Sequence, residues 1–301
     1  MQVSARWGVL AMMGAVVIYG ANFPLSRLAT QQGLSPADLV ALRYAIGGAV
    51  LLPVFLRAGA ATCAGVGWGR GIALAIMSGA PMALLMNTGL KFAPAGHGAA
   101  LAPGTVTVVG IVGSYLLFRV RPSAYALAGV TVVLGGLACI AAAGTASGPT
   151  VLLGDLLFVL NGLLWGFYPL LLQRWQVGGM VSTSIVSVLS LPYIPLYLAF
   201  LHPGLMQVDP WIVAFHAVNQ GLVNIILGLW LWATAVRLLG AARAQRFPPL
   251  IPVFGTLLAI PILGEIPGPL QALGVGLIVS GLVLAAFGAQ LVSRLKGLTG
   301  P

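Results

Sequence analysis

From residue 127 to 143, and again from 273 to 286, the chain runs almost without interruption through apolar side chains. A helix needs roughly 20 such residues to cross the hydrocarbon core of a bilayer. A membrane β-barrel would instead alternate apolar and polar residues with period two, and these runs do not. Open sheet edges and irregular backbone cannot face lipid, so helices are the remaining choice. Ten runs of this kind can be read: 7–28, 39–56, 71–90, 96–118, 124–142, 152–172, 181–201, 211–236, 244–263 and 270–290. The connections are short and carry turn formers such as Ser35-Pro36, Arg121-Pro122 and Gly148-Pro149. Composition agrees: 59% of residues are hydrophobic, only 6% are charged, and the mean hydropathy is +1.05. Soluble domains carry roughly 25% charged residues. The expected fold is an all-α polytopic membrane protein with ten transmembrane helices and no soluble domain.

The net charge is +10, with 14 Lys+Arg against 4 Asp+Glu. In a soluble domain this would suggest nucleic acid. Here the basic residues are isolated at run ends and form no stripe, which fits the positive-inside rule instead. If the N-terminus is cytoplasmic, Arg6, Arg57, Arg70, Arg119, Arg121, Arg174, Arg237, Arg243, Arg246, Arg294 and Lys296 fall at cytoplasmic ends. Only Arg27, Arg43 and Lys91 then lie toward the outside, together with all four acids. Both termini are therefore expected in the cytoplasm. The first run, with Asn22 and Pro24 inside it, reads as a retained span. Cys63 and Cys139 show no metal-ligand spacing, so no metal or cofactor is expected.

A second feature is an internal echo. A step of 146 carries Lys91 to Arg237, His97 to Arg243 and Pro103 to Pro249. The same step places Tyr19-Gly20 on Trp165-Gly166, Leu127 on Leu273 and Gly135 on Gly281. The chain thus divides into halves, 1–146 and 147–301, of five spans each. Five is odd, so the second half enters the membrane from the opposite side. The result is an inverted repeat with a pseudo-two-fold axis in the membrane plane and a cavity between the halves.

The chain resembles the drug/metabolite transporter superfamily, specifically its ten-helix EamA-type members. The resemblance rests on Tyr19-Gly20-Ala21-Asn22-Phe23-Pro24, on Leu42-Arg43-Tyr44, and on Gly264-Glu265 followed by Gln271, Gly274, Gly276, Ile278 and Gly281. Among the branches, the chain looks most like the YddG-type amino-acid exporters. The resemblance implies an exporter of small metabolites in the bacterial inner membrane, working by alternating access. It also implies a cavity lined by the first, third, fourth, sixth, eighth and ninth spans.

Polar and aromatic residues at mid-depth supply the candidate substrate contacts. Tyr19 and Asn22 are three apart on one helix face, and Asn161, Trp165 and Tyr168 share another. The third span offers Ser78, Pro81, Met82 and Leu85. The eighth offers Gln220, Asn224, Gly228 and Trp230. A buried amide needs a partner, and each Asn can equally serve as an interhelical hydrogen bond. Pro81, Pro103, Pro248, Pro249 and Pro252 are expected to interrupt the third, fourth and ninth spans, as gates or as fixed kinks. His97, Arg243 and Arg246 mark the pathway mouths. The arginines can be plain headgroup anchors, and His97 can be a proton sensor or a satisfied interfacial histidine. Arg43 is expected to pair with Asp38 at the outer interface as an anchor.

No Asp or Glu falls at mid-depth, so exchange of protons for cationic drugs is not expected. Nor is a nucleophile-and-base set for an intramembrane enzyme present. Neutral or zwitterionic solutes fit better, apolar and aromatic amino acids above all. Phosphorylated sugars or nucleotide sugars are the rival within the same fold, and they would require Lys91, Arg243 and Arg246 to face the cavity. The partners expected are the solute and the bilayer, without nucleic acid, and a monomer is compatible with the chain.

Overall fold

The computed structural model describes residues 2–201, 204–239 and 247–298. Arg243 and Arg246 lie outside the described residues. The first two spans are single helices, Gln2–Gln31 and Pro36–Arg57. The third is two helices, Trp68–Ser78 and Ala80–Phe92, meeting at Gly79. Ala95–Phe118, Ala124–Ser147 and Pro149–Trp175 form the fourth to sixth. Another two-part span follows, Gly179–Leu189 and Tyr193–Phe200. The eighth runs through Pro210–Ala217, a π-helical segment Val218–Leu227, and Gly228–Leu239. The last two are Ile251–Leu263 and Pro269–Leu298. Among the described residues, nine helical stretches are long and apolar enough to cross a membrane, and Ile251–Leu263 is a shorter apolar helix.

Prolines bear on two of these expectations. The expected start of the ninth span at 244 lies outside the described residues; within them, a 3-10 turn at Pro248–Leu250 leads into the helix Ile251–Leu263. Pro252 sits in its first turn, where a missing N–H costs nothing. Pro103, by contrast, does not break the fourth span, which continues through it from Ala95 to Phe118. Ala99 and Ala100, one turn earlier, are small and fully buried, which leaves space for the pyrrolidine ring.

Packing is symmetric under exchange of the halves. The first span packs on the eighth and ninth, and the sixth correspondingly packs on the third and fourth. The second packs on the seventh, the fourth on the ninth and the fifth on the tenth, so these six spans meet their own counterparts. The fifth and tenth are held by small residues. Gly129 meets the Gly281 carbonyl and Gly136 meets the Gly274 carbonyl, and a Cβ at Gly129 or Gly136 would come within 2.6 Å of that oxygen. These reciprocal pairs match Gly129 to Gly274 and Gly136 to Gly281, a step of 145. The step of 146 had placed Gly135 on Gly281, but Gly135 faces open space. The offset falls from 146 in the early spans to 145 in the last, so the second half has one residue fewer between them.

Candidate functional site

A cavity lies between the halves, with about 1080 Å³ of empty space including its open mouth. Eight of the residues singled out from the sequence line it: Tyr19, Asn22, Ser78, Met82, Asn161, Trp165, Tyr168 and Asn224. Trp230 does not. It is 58% exposed on the outer surface of the eighth span. Six residues separate it from Asn224, about 240° around an α-helix, so the spacing itself argued against a shared face.

The lining spans differ from those implied by the resemblance. None of the residues lining the cavity belongs to the fourth span, and the second and seventh contribute instead through Arg43, Tyr44, Thr183, Val186 and Ser187. Sequence reasoning also missed Met86 and Asn87. Met86 follows Met82 by four, so helical spacing could have found it.

The break in the third span forms part of the wall. Gly79 packs so closely that a Cβ would lie 2.2 Å from the Ala75 carbonyl oxygen and 2.5 Å from Ser190 Oγ. Backbone groups freed by the break need partners. Tyr44 Oη donates to the Ser78 carbonyl at 3.2 Å, and Ser190 Oγ accepts from Ala80 N at 3.1 Å. Beyond the break, Asn161 Nδ2 donates to the Met82 carbonyl at 2.8 Å, bracing the sixth span against the third. Pro81 starts the new helix and faces outward, exposed, so it shapes the break without touching the cavity.

Arg43 is where the structure corrects the sequence most. It does not pair with Asp38. That carboxylate caps its own helix, accepting from Ser35 N at 2.7 Å, and it also accepts from Tyr197 Oη and, at 3.3 Å, from Gly204 N. Five residues on, Arg43 points about 140° away around the helix, into the cavity. Its Nη1 donates to Gln220 Oε1 at 3.3 Å, Gln220 Nε2 donates to Ser26 Oγ at 2.7 Å, and Ser26 Oγ donates to Asn22 Oδ1 at 3.5 Å. One polar chain therefore crosses from the second span through the eighth to the first. Gln220 sits in the π-helical segment, a form often found at functional sites. Among the described lining residues, Arg43 is the one formal charge, and no carboxylate joins it.

The remaining candidates lie away from the cavity lining. His97 is buried and its Nδ1 meets Asp155 Oδ1 at 2.7 Å, which joins the start of the fourth span to the sixth. It does not line the cavity. Nearby, Arg27 forms an ion pair with Glu265 and donates to the carbonyls of Leu90 and Ala93, both at 2.7 Å. Glu265 Oε2 also accepts from Ala95 N at 2.8 Å. This clamp ties the ends of the first and third spans to the start of the fourth and the loop after the ninth. Lys91 is exposed beside the Phe92 ring and does not line the cavity. Pro103 and Pro252 are buried in the fourth and ninth spans, which touch where Gly255 meets Ala99. Pro249 belongs to the 3-10 turn before the ninth helix.

Comparison with known proteins agrees with this architecture. An uncharacterized protein of Pseudomonas aeruginosa is 30% identical over 264 residues, covering 86% of this chain and 88% of its own. A solved crystal structure superposes with a TM-score of 0.60 at 23% identity, over 95% of this chain and 98% of the other, which shows a common fold. The model of the EamA-like transporter family matches twice, over residues 6–142 and 152–287, so its two starts are 146 apart and its two ends 145. A multi-pass helical bundle matched by that model along both halves is a membrane transporter, and the chain belongs to the EamA-like transporter family.

Proposed function

We propose that this transporter exports amino acids with uncharged, chiefly apolar or aromatic side chains by alternating access. The observation that carries the reading is the composition of the central wall. Amides, tyrosine hydroxyls, Trp165, Met82 and Met86 surround a space that, among the described lining residues, has one guanidinium and no carboxylate. Such a wall offers an apolar side chain a place to bury and gives an uncharged or zwitterionic solute enough hydrogen bonds. A cationic drug would meet Arg43 with no counter-charge. Among the described lining residues a sugar phosphate would meet one cation only, because Lys91 is elsewhere. The exchange-symmetric packing supports alternating access, since two equivalent halves can trade inward and outward arrangements.

In this reading the membrane is the bacterial inner membrane and both termini are cytoplasmic, as the charge distribution favours. The Arg27–Glu265 clamp then closes the outer mouth. Proteoliposomes carrying the purified protein test the function by counterflow of labelled leucine, phenylalanine and tryptophan, with sugar phosphates alongside. Amino-acid counterflow is expected. Movement of a phosphorylated sugar with no amino acid would overturn the proposal.

A further inference from the structure

We infer that the cavity holds a zwitterion by its two ends, with Arg43 taking the carboxylate and the side-chain oxygens of Asn87 and Asn161 taking the ammonium. The inference rests on the amino-acid reading above and assigns each end of the solute to named atoms.

Arg43 Nε is buried and has no hydrogen-bond partner among the described residues, although Nη1 is held by Gln220. The guanidinium is thus held by Gln220 and by the neighbouring Tyr44 hydroxyl, and its Nε remains a donor to spare. Guanidinium matches a carboxylate with parallel N–H bonds. Asn87 and Asn161 present the complementary chemistry. Asn87 Nδ2 donates to the Ala83 carbonyl at 2.9 Å, and Asn161 Nδ2 donates to the Met82 carbonyl at 2.8 Å. A carbonyl partner accepts only from the NH₂ side of an amide, so both amide orientations are determined. Each remaining Oδ1 is buried and unpaired. Both residues line the same cavity as Arg43 and are 3% and 0% exposed.

Two unpaired acceptors and an unpaired cationic donor, all buried on residues that line one cavity, are costly if nothing ever satisfies them. The species that satisfies all three at once carries a carboxylate and a donor-rich cation on one small frame. Ammonium supplies three donors, enough for both amide oxygens. A phosphate ester without hydroxyl donors would satisfy Arg43 and leave both acceptors unpaired. A simple amine would do the reverse, and would add a second cation beside the guanidinium.

The test is competition against labelled phenylalanine binding by the purified transporter in detergent. Phenethylamine lacks the carboxylate and 3-phenylpropionate lacks the ammonium. Each is expected to compete at least about tenfold more weakly than phenylalanine, since each forfeits charge-assisted hydrogen bonds. Arg43→Gln, with Arg43→Lys as a second variant, should abolish the preference for phenylalanine over phenethylamine. Asn161→Leu or Asn87→Leu should abolish the preference over 3-phenylpropionate and spare the other. The readout is a ratio within one folded preparation, so loss of yield does not mimic it. If phenylalanine binds but both analogues compete equally well, or if the variants keep both preferences, the two-ended assignment is wrong and amino-acid transport stands. If no amino acid binds at all, the assignment and the functional reading fall together.

Discussion

His97 and Asp155 face each other across the interface of the fourth and sixth spans, Nδ1 to Oδ1 at 2.7 Å, with 2% and 3% of each residue exposed. Neither Nε2 nor Oδ2 has a further partner among the described residues. The pair therefore depends on itself. Removing one member of such a buried pair strands the other and costs about 3–5 kcal/mol, whereas replacing both by apolar groups costs much less. Asp155→Leu is expected to lower the thermal unfolding temperature sharply in detergent, and His97→Leu/Asp155→Leu should recover much of the loss. Additive losses in that double-mutant cycle would show that the two side chains are not coupled.

The cavity wall separates aromatic residues that face substrate from those that face lipid. Trp165→Ala and Asn22→Ala should each reduce amino-acid counterflow about tenfold or more, with the protein still inserted and monodisperse. Trp230→Ala should leave flux within about twofold, because Trp230 stands outside the cavity. Equal effects in all three variants would contradict the placement.

Small residues hold the fifth span against the tenth, and the same region supplies its own control. Gly136→Val would drive a side chain into the Gly274 carbonyl and Ile278. Overpacking of this kind costs about 1–3 kcal/mol. Gly135→Val, one residue away, meets nothing within 4 Å and should be nearly neutral. Unfolding temperatures of the two purified variants decide the point, and a destabilised Gly135→Val would refute the 145-residue register.

Arg27 makes three interactions at the clamp, one to Glu265 and two to backbone carbonyls. Glu265→Gln removes one charge but keeps an acceptor and donors. Arg27→Ala removes all three bonds and leaves the Leu90 and Ala93 carbonyls short of a donor. The expected order of destabilisation is Arg27→Ala above Glu265→Gln, with hydrogen bonds to charged groups worth about 1.5–3 kcal/mol each. Thermal unfolding of both variants checks the order.

Sequence by itself determined that the chain is a helical, multi-pass membrane protein, because lipid as a solvent leaves so few ways to satisfy a backbone. It also brought forward Tyr19, Asn22, Asn161, Trp165 and Tyr168, since an amide or a cluster of aromatics at helical spacing stands out against an apolar run. Tertiary structure decided the rest. Helix spacing already sets Arg43 about 140° from Asp38, but whether Arg43 meets the cavity depends on how the second span is rotated against its neighbours. That rotation is fixed by contacts between spans, among them Tyr197 to Asp38 and Gln220 reaching across from a π-helical segment. The glycines that touch in the fifth and tenth spans, and the carboxylate that holds His97, are likewise contacts between segments far apart in the chain. Hydropathy is a one-dimensional property and places each span at its depth. Only packing chooses which face of each helix turns inward.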